Sequence, residues 1–198
     1  MSEIVTAARL GDWIQTFTGR QFWPLDPRPD EIEIADIAHA LAHQCRYGGH
    51  IRQFYSVAEH CVLMAHAVAP EHRLAALMHD AAEGYLVDLP RPIKRAMPHY
   101  RAAETAIWLA ICVRYGIAPE LPAEVHEADN RILVDEREQG MAPPPAPWDA
   151  CEQVEPLGVK LQFWRPTEAE FQFRTLFDRL IARQPVGAGV VAAGRGAR

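Results

Sequence analysis

The chain has 198 residues, a length for one domain rather than two. Its 20 Lys and Arg against 26 Asp and Glu give a formal net charge of −6, which argues against a duplex-binding protein, whose affinity rests on neutralising phosphates. With 49% hydrophobic and 23% charged residues a core can form and a disordered chain is excluded, while no apolar run reaches the roughly 18 residues of a membrane span.

Met1 to Leu10 lacks the basic and long apolar stretches of a signal peptide. The cysteines, Cys45, Cys61, Cys112 and Cys151, are widely spaced with no C-x-x-C pair, so they read as reduced, mostly buried thiols of a cytoplasmic protein.

Gln21 to Leu25 has strand character and is expected to pair with residues 159–164 in a small ribbon. From Ala35 to Gly140 the pattern is helical. Ser56-Val-Ala-Glu59 is a capping box, with Ser56 as cap and Glu59 reaching back. The helix it opens carries Val57, Cys61, Met64, Ala65 and Val68 on one face. A second helix is expected over Arg73–Gly84 after Pro70. Leu89-Pro-Arg-Pro92 is excluded from a helix interior, because each proline removes a donor and clashes with the preceding turn.

A further helix spans about Tyr100 to Tyr115, with Ala103, Ile107, Ala110 and Ile111 inward. Another starts near Pro122 and turns Val125, Ala128 and Ile132 to the core. Met141 to Pro147 is a proline-rich loop, and Gly158 to Trp164 alternates like a strand, with Val159, Leu161 and Phe163 on one side. Thr167-Glu-Ala-Glu170 is a second capping box, opening a last helix with Phe173, Phe177, Leu180 and Ile181 inward. The fold class expected is mainly all-α, with a small β-ribbon from the N- and C-terminal segments.

The chemistry concentrates at His79-Asp80, inside the expected Arg73–Gly84 helix. His60 and Asp129, on neighbouring helices, bring the set to two imidazoles and two carboxylates, a mixed nitrogen and oxygen site suited to a divalent transition metal with open positions. Glu83, four residues after His79 and three after Asp80, shares their helix face and is placed to accept a proton from an attacking water.

Ser56-Val-Ala-Glu-His60, Leu77-Met-His-Asp-Ala-Ala-Glu83, Asp88-Leu-Pro-Arg-Pro-Ile-Lys94 and Ala128-Asp129, in that order, resemble the HD-domain phosphohydrolase superfamily. Within it the chain is most similar to 5′-deoxynucleotidases of the YfbR type and to phage dATP triphosphohydrolases. The likeness spans about Ala35 to Gly140. It implies one HD-type helical bundle over residues 1–183 and a homo-oligomer of at least two copies, while residues 184–198, which show no periodicity, read as a mobile tail. It also implies one divalent ion (Co, Mn, Zn or Fe) held by His60, His79, Asp80 and Asp129. Glu83 would be the catalytic carboxylate. Asp88 would be a second, holding the attacking water or protonating the leaving sugar oxygen. Arg46 and Lys94 match positions that neutralise phosphate. Where the deoxynucleotidases carry Arg-Trp this chain has Arg46-Tyr47, and Tyr47 would stack on a base or sugar.

The plainer alternatives are a buried polar pair at His79-Asp80, solvated surface charges at Arg46 and Lys94, and a core or rim aromatic at Tyr47. His39, His43, His50, His66, His72 and His99 read as surface or packing residues, and His126 is an outside candidate for phosphate or metal contact. The expected function is a metal-dependent phosphohydrolase removing the 5′-phosphate from free (deoxy)nucleoside monophosphates, with no duplex nucleic acid or membrane partner. A triphosphohydrolase releasing triphosphate from a dNTP, with Arg52, Arg91 and Arg95 as extra cations, is the alternative enzyme. A nucleotide-binding module without turnover is the alternative of another class.

Overall fold

The computed structural model describes residues 9–148, 151 and 153–184. Two short strands, β1 (Ile14–Gln15) and β2 (Gln21–Phe22), pair antiparallel with Ile14 opposite Phe22. Seven helices follow among the described residues: α1 (Ile34–His43), α2 (Val57–Ala67), α3 (Arg73–Met78), α4 (Arg91–Lys94), α5 (Pro98–Tyr115), α6 (Ala123–Gly140) and α7 (Pro166–Ile181). The fold is mainly α with one small ribbon. None of these helices is long and apolar enough to cross a membrane. All four cysteines are free, and Cys61, Cys112 and Cys151 are buried.

α2 is the central element. It packs against α1, α3, α6 and α7, and it buries Val57, Ala58, Glu59, His60, Cys61, Val62, Met64 and Ala65. A helix buried on most sides carries any polar residue at a cost, so Glu59 and His60 need partners in the interior. Around it the inward faces of α5 (Ala103, Ile107, Ala110, Ile111), α6 (Val125, Ala128, Ile132) and α7 (Phe173, Phe177, Leu180) are buried as their periodicity predicts. α5 ends at Gly116, whose left-handed backbone (φ 66) accommodates the cap.

Several local expectations are corrected. β2 pairs with β1 rather than with residues 159–164, since the turn between them closes locally through Thr16 N–H donating to Arg20 O at 3.0 Å. Residues 159–164 alternate in burial but form no strand. Gln139 holds Val159 O and Leu161 N–H, and Phe163 sits at φ 54, off the extended conformation. Ser56 does cap α2, accepting from Glu59 N–H at 3.1 Å, but Glu59 does not reach back. Its carboxylate instead takes the N–H groups of Gln162, Phe163 and Trp164 at 2.7 to 2.9 Å.

α7 begins at Pro166 with no side-chain cap, and Glu170 pairs with His39 instead. The expected helix over Arg73–Gly84 is interrupted: α3 stops at Met78, and Ala81–Gly84 is a separate 3-10 turn. The segment 185–198, expected as tail, lies outside the described residues.

Gly140, the last residue of α6, meets Ile51 closely. A Cβ built there stands 2.5 Å from Ile51 Cδ1 and 2.8 Å from Cγ1. Arg52 N–H donates to Gly140 O at 2.9 Å, so the two segments cannot separate freely. Gly140→Ala should overpack this contact at a cost of about 1 to 3 kcal/mol, against a helix-propensity gain of up to about 1 kcal/mol. A lower urea midpoint with unchanged m-value is the expected result, and a midpoint at or above wild type would show that Ile51 yields without strain.

Candidate metal centre and adjoining cavity

His60, in the first turns of α2, is fully buried, and its Nδ1 lies 2.7 Å from Glu136 Oε1 on α6. Burial opposes ionisation of Glu136, but Arg46 and His60 hold its carboxyl down at about 2. An ionised carboxylate only accepts, so His60 Nδ1 donates to it and Nε2 is the nitrogen left for another partner. His79 Nδ1 donates to the Ala76 carbonyl at 2.8 Å, which turns its Nε2 toward the same space. The two Nε2 atoms therefore face each other, 3.4 Å apart.

Two carboxylates complete the cluster. Asp80 Oδ2 is 3.2 Å from His79 Nε2 and 3.8 Å from His60 Nε2. Asp129 Oδ1 is 3.4 Å from His60 Nε2 and 3.9 Å from His79 Nε2. Burial works against ionisation of Asp80 and Asp129, yet the neighbouring imidazoles hold both carboxyls well below the usual range. Burial also disfavours a charged His79, and Asp80 outweighs it, raising the imidazole well above its ordinary value.

Ligand atoms about 2.1 Å from a shared ion stand about 3.0 to 3.4 Å apart. The observed separations lie close to that, and two overlapping groups, His60 with His79 and Asp129 and Cys61 with His79 and Asp80, each bring their donor atoms within 4.8 Å of one another and could hold a divalent ion. Cys61 comes near, with Sγ 4.0 Å from His79 Nδ1, but burial pushes its thiol up to about 11 and disfavours the thiolate a metal needs.

The cluster opens on a cavity of about 550 Å³, lined in part by Arg46, Tyr47, Asp80, Glu83, Asp88 and Asp129. Glu83 is buried and receives Lys94 Nζ on Oε1 at 3.1 Å, while Oε2 has no hydrogen-bond partner. Burial, with Asp80 and Asp88 close by, drives the Glu83 carboxyl well above its ordinary value despite Lys94. Burial also raises Asp88, against the pull of Arg46. Lys94 is shared between Glu83 and Glu104. Arg91 Nη2 reaches Asp129 Oδ2 at 3.0 Å, and Arg95 lines the same cavity.

All nine expected site residues are accounted for in one region, and Glu83 gets there by a different route. It sits on the 3-10 turn, with its N–H donating to Asp80 O at 2.9 Å, rather than on a continuous helix face with His79. Arg46 is not a solvated charge. It is buried, with Nη2 3.2 Å from Glu136 Oε2 and Nη1 3.6 Å from Asp80 Oδ2. Tyr47 adopts a left-handed backbone (φ 59), and its hydroxyl donates to Glu136. His126 is exposed and stands apart from the cavity lining, as does Arg52.

Two residues that sequence reasoning missed shape this site. Glu136 joins His60, Arg46 and Tyr47; its signal was its place seven residues after Asp129, two turns along the same face of α6. Gln44, just past α1, donates to Glu83 O and accepts from Asp88 N–H, both at 2.9 Å, and so clamps the two carboxylate-bearing segments. No sequence pattern marks it.

Fold and site together define a helical protein with a buried cluster of His and Asp able to hold a metal beside a polar cavity. The chain belongs to the family of the uncharacterized protein YfdR of Escherichia coli K12, with which it is 42% identical over 125 residues, covering 63% of this chain and 70% of that one. An uncharacterized protein of Rhodobacter capsulatus is 38% identical over 126 residues, covering 59% of this chain and 64% of the relative. No family model matches the chain.

Proposed function

We propose that the protein is a metal-dependent phosphohydrolase of free nucleotides, removing the 5′-phosphate of (deoxy)nucleoside monophosphates. The observation that carries this reading is the convergence of His60, His79, Asp80 and Asp129 beside a cavity that also presents Glu83 and Asp88. The likeness to HD-domain phosphohydrolases at these same positions supports it. His60, His79, Asp80 and Asp129 would hold the ion, of the Co, Mn, Zn or Fe class. When bound, such an ion supplies neutralisation of phosphate charge and acidification of a water.

The chain's own residues do the rest. Glu83 accepts the proton of the attacking water on its unpartnered Oε2, and Lys94 fixes the other oxygen in place. Its burial at the cavity wall beside the proposed ligands places it for that exchange. Asp88, also raised, donates a proton to the departing sugar oxygen. Arg91, Arg95 and Lys94 draw the phosphate in, while Arg46 acts chiefly through Asp80 and Glu136. Tyr47 and Trp148, both lining the cavity, offer faces to a base or sugar.

Arg91 and Arg95 on the wall favour a second reading, release of triphosphate from a dNTP, since a longer anion needs more cations. The deciding experiment presents dAMP, dATP and their ribonucleotide counterparts with Co, Mn, Mg and Zn and identifies the products. Phosphate from the monophosphate, abolished by a chelator, is expected. Triphosphate from dATP would replace the first reading by the second, and nucleotide binding without any product would make the protein a non-catalytic module.

Glu136 should set metal affinity without touching the ion. Glu136→Gln keeps the shape but lets His60 lose the carboxylate that fixes its tautomer, which typically costs about 10- to 100-fold in metal affinity. Competition against a chromophoric chelator measures it, and an affinity equal to wild type would remove Glu136 from this role.

A further inference from the structure

A second group of metal-ligating side chains lies outside the cavity. His39 and His43 are four residues apart on α1, which places both imidazoles on one face; their ring centroids are 4.1 Å apart. Glu170, on the packed helix α7, brings Oε2 to 3.0 Å from His39 Nδ1. One donor atom from each of the three lies within 4.8 Å of the others.

The rings are also oriented. Phe17 stacks on His39 with centroids 3.7 Å apart and planes 9° from parallel. His43 Nδ1 donates to the His39 carbonyl at 2.8 Å, so Nε2 is the nitrogen left to face an ion. Arg174 Nη1 stands 3.6 Å from Glu170 Oε1, favouring an ionised carboxylate.

Two imidazoles and one carboxylate, with His43 exposed, make a three-ligand set with a position open to water, the donor chemistry of zinc and its neighbours. We propose that His39, His43 and Glu170 form a second divalent transition-metal site, separate from the His60 cluster, which staples α7 to α1. The consequence reaches the cavity through one residue. His43 immediately precedes Gln44, whose amide clamps Glu83 and Asp88, so an ion here stiffens the segment that positions both carboxylates.

The test titrates the full chain, stripped of metal by chelator, with zinc sulfate and counts bound zinc after dialysis. Wild type is expected to bind two equivalents, and His43→Ala and Asp80→Ala one each. Zinc should still raise the melting temperature of Asp80→Ala, by roughly 5 to 10 °C at a hundredfold excess over Kd, and should leave Asp80→Ala/His43→Ala unmoved. Glu170→Gln, which keeps the packing of α7, should lose the same equivalent as His43→Ala. Equal zinc in wild type and His43→Ala, or none in Asp80→Ala, overturns the second site. A single wild-type equivalent that survives Asp80→Ala and disappears in His43→Ala keeps this site and defeats the metal assignment at the His60 cluster.

Discussion

Asp80→Ala is expected to lose the ion at the His60 cluster and turnover together. The substitution removes the oxygen nearest His79 Nε2, at 3.2 Å, and leaves three candidate ligands. It leaves the fold in place, because the Ala81–Gly84 turn is anchored by the backbone carbonyl of residue 80, which alanine retains. A metal's charge stabilisation in phosphoryl transfer amounts to several kcal/mol, which converts to at least about a thousandfold in rate. Circular dichroism, elemental analysis and phosphate release on one preparation give the answer. A folded variant that keeps its metal and more than a tenth of its activity would defeat the ligand assignment.

Glu83→Gln tests the proposed general base apart from the proposed metal ligands. Glu83 points one oxygen at Lys94 and leaves the other unpartnered, and its side chain makes no hydrogen bond to a proposed ligand, so metal content should not change. Losing a positioned base costs about 10² to 10⁴ in kcat, or roughly 3 to 5 kcal/mol of barrier. Nucleotide affinity should hold or tighten, since a carboxylate near the phosphate has been neutralised. Full kcat with full metal would pass the role to Asp88. Loss of metal would make Glu83 a ligand and undo the division of labour.

The helices around α2 and their buried faces were legible because periodicity reports which side of a helix avoids water, and that holds for α5, α6 and α7 alike. The site residues were legible as residue types in order. What escaped was where polar side chains spend their hydrogen bonds. Glu59 and Glu170 both read as capping residues, yet each is drawn to a partner more than a hundred residues away in the chain: Glu59 to residues 162–164 and Glu170 to His39. Local pattern cannot weigh a local acceptor against a distant one. The break after Met78 was hidden for a related reason, since Ala81-Ala82 has strong helix propensity and only the pairing of Glu83 N–H with Asp80 O reveals the tighter turn.

Glu59 has one more bearing on how this protein is put together. It sits beside His60 in the chain, fully buried, and its carboxylate is satisfied by three consecutive backbone donors that lie well beyond the last motif residue. The stretch from Ala35 to Gly140 that carries the whole motif is therefore not a portable unit. Excised alone, it would keep a charged group in its central helix with no donors to receive it, next to His60, a proposed metal ligand. Residues 162–164 act as the keystone of a site to which they contribute no side chain.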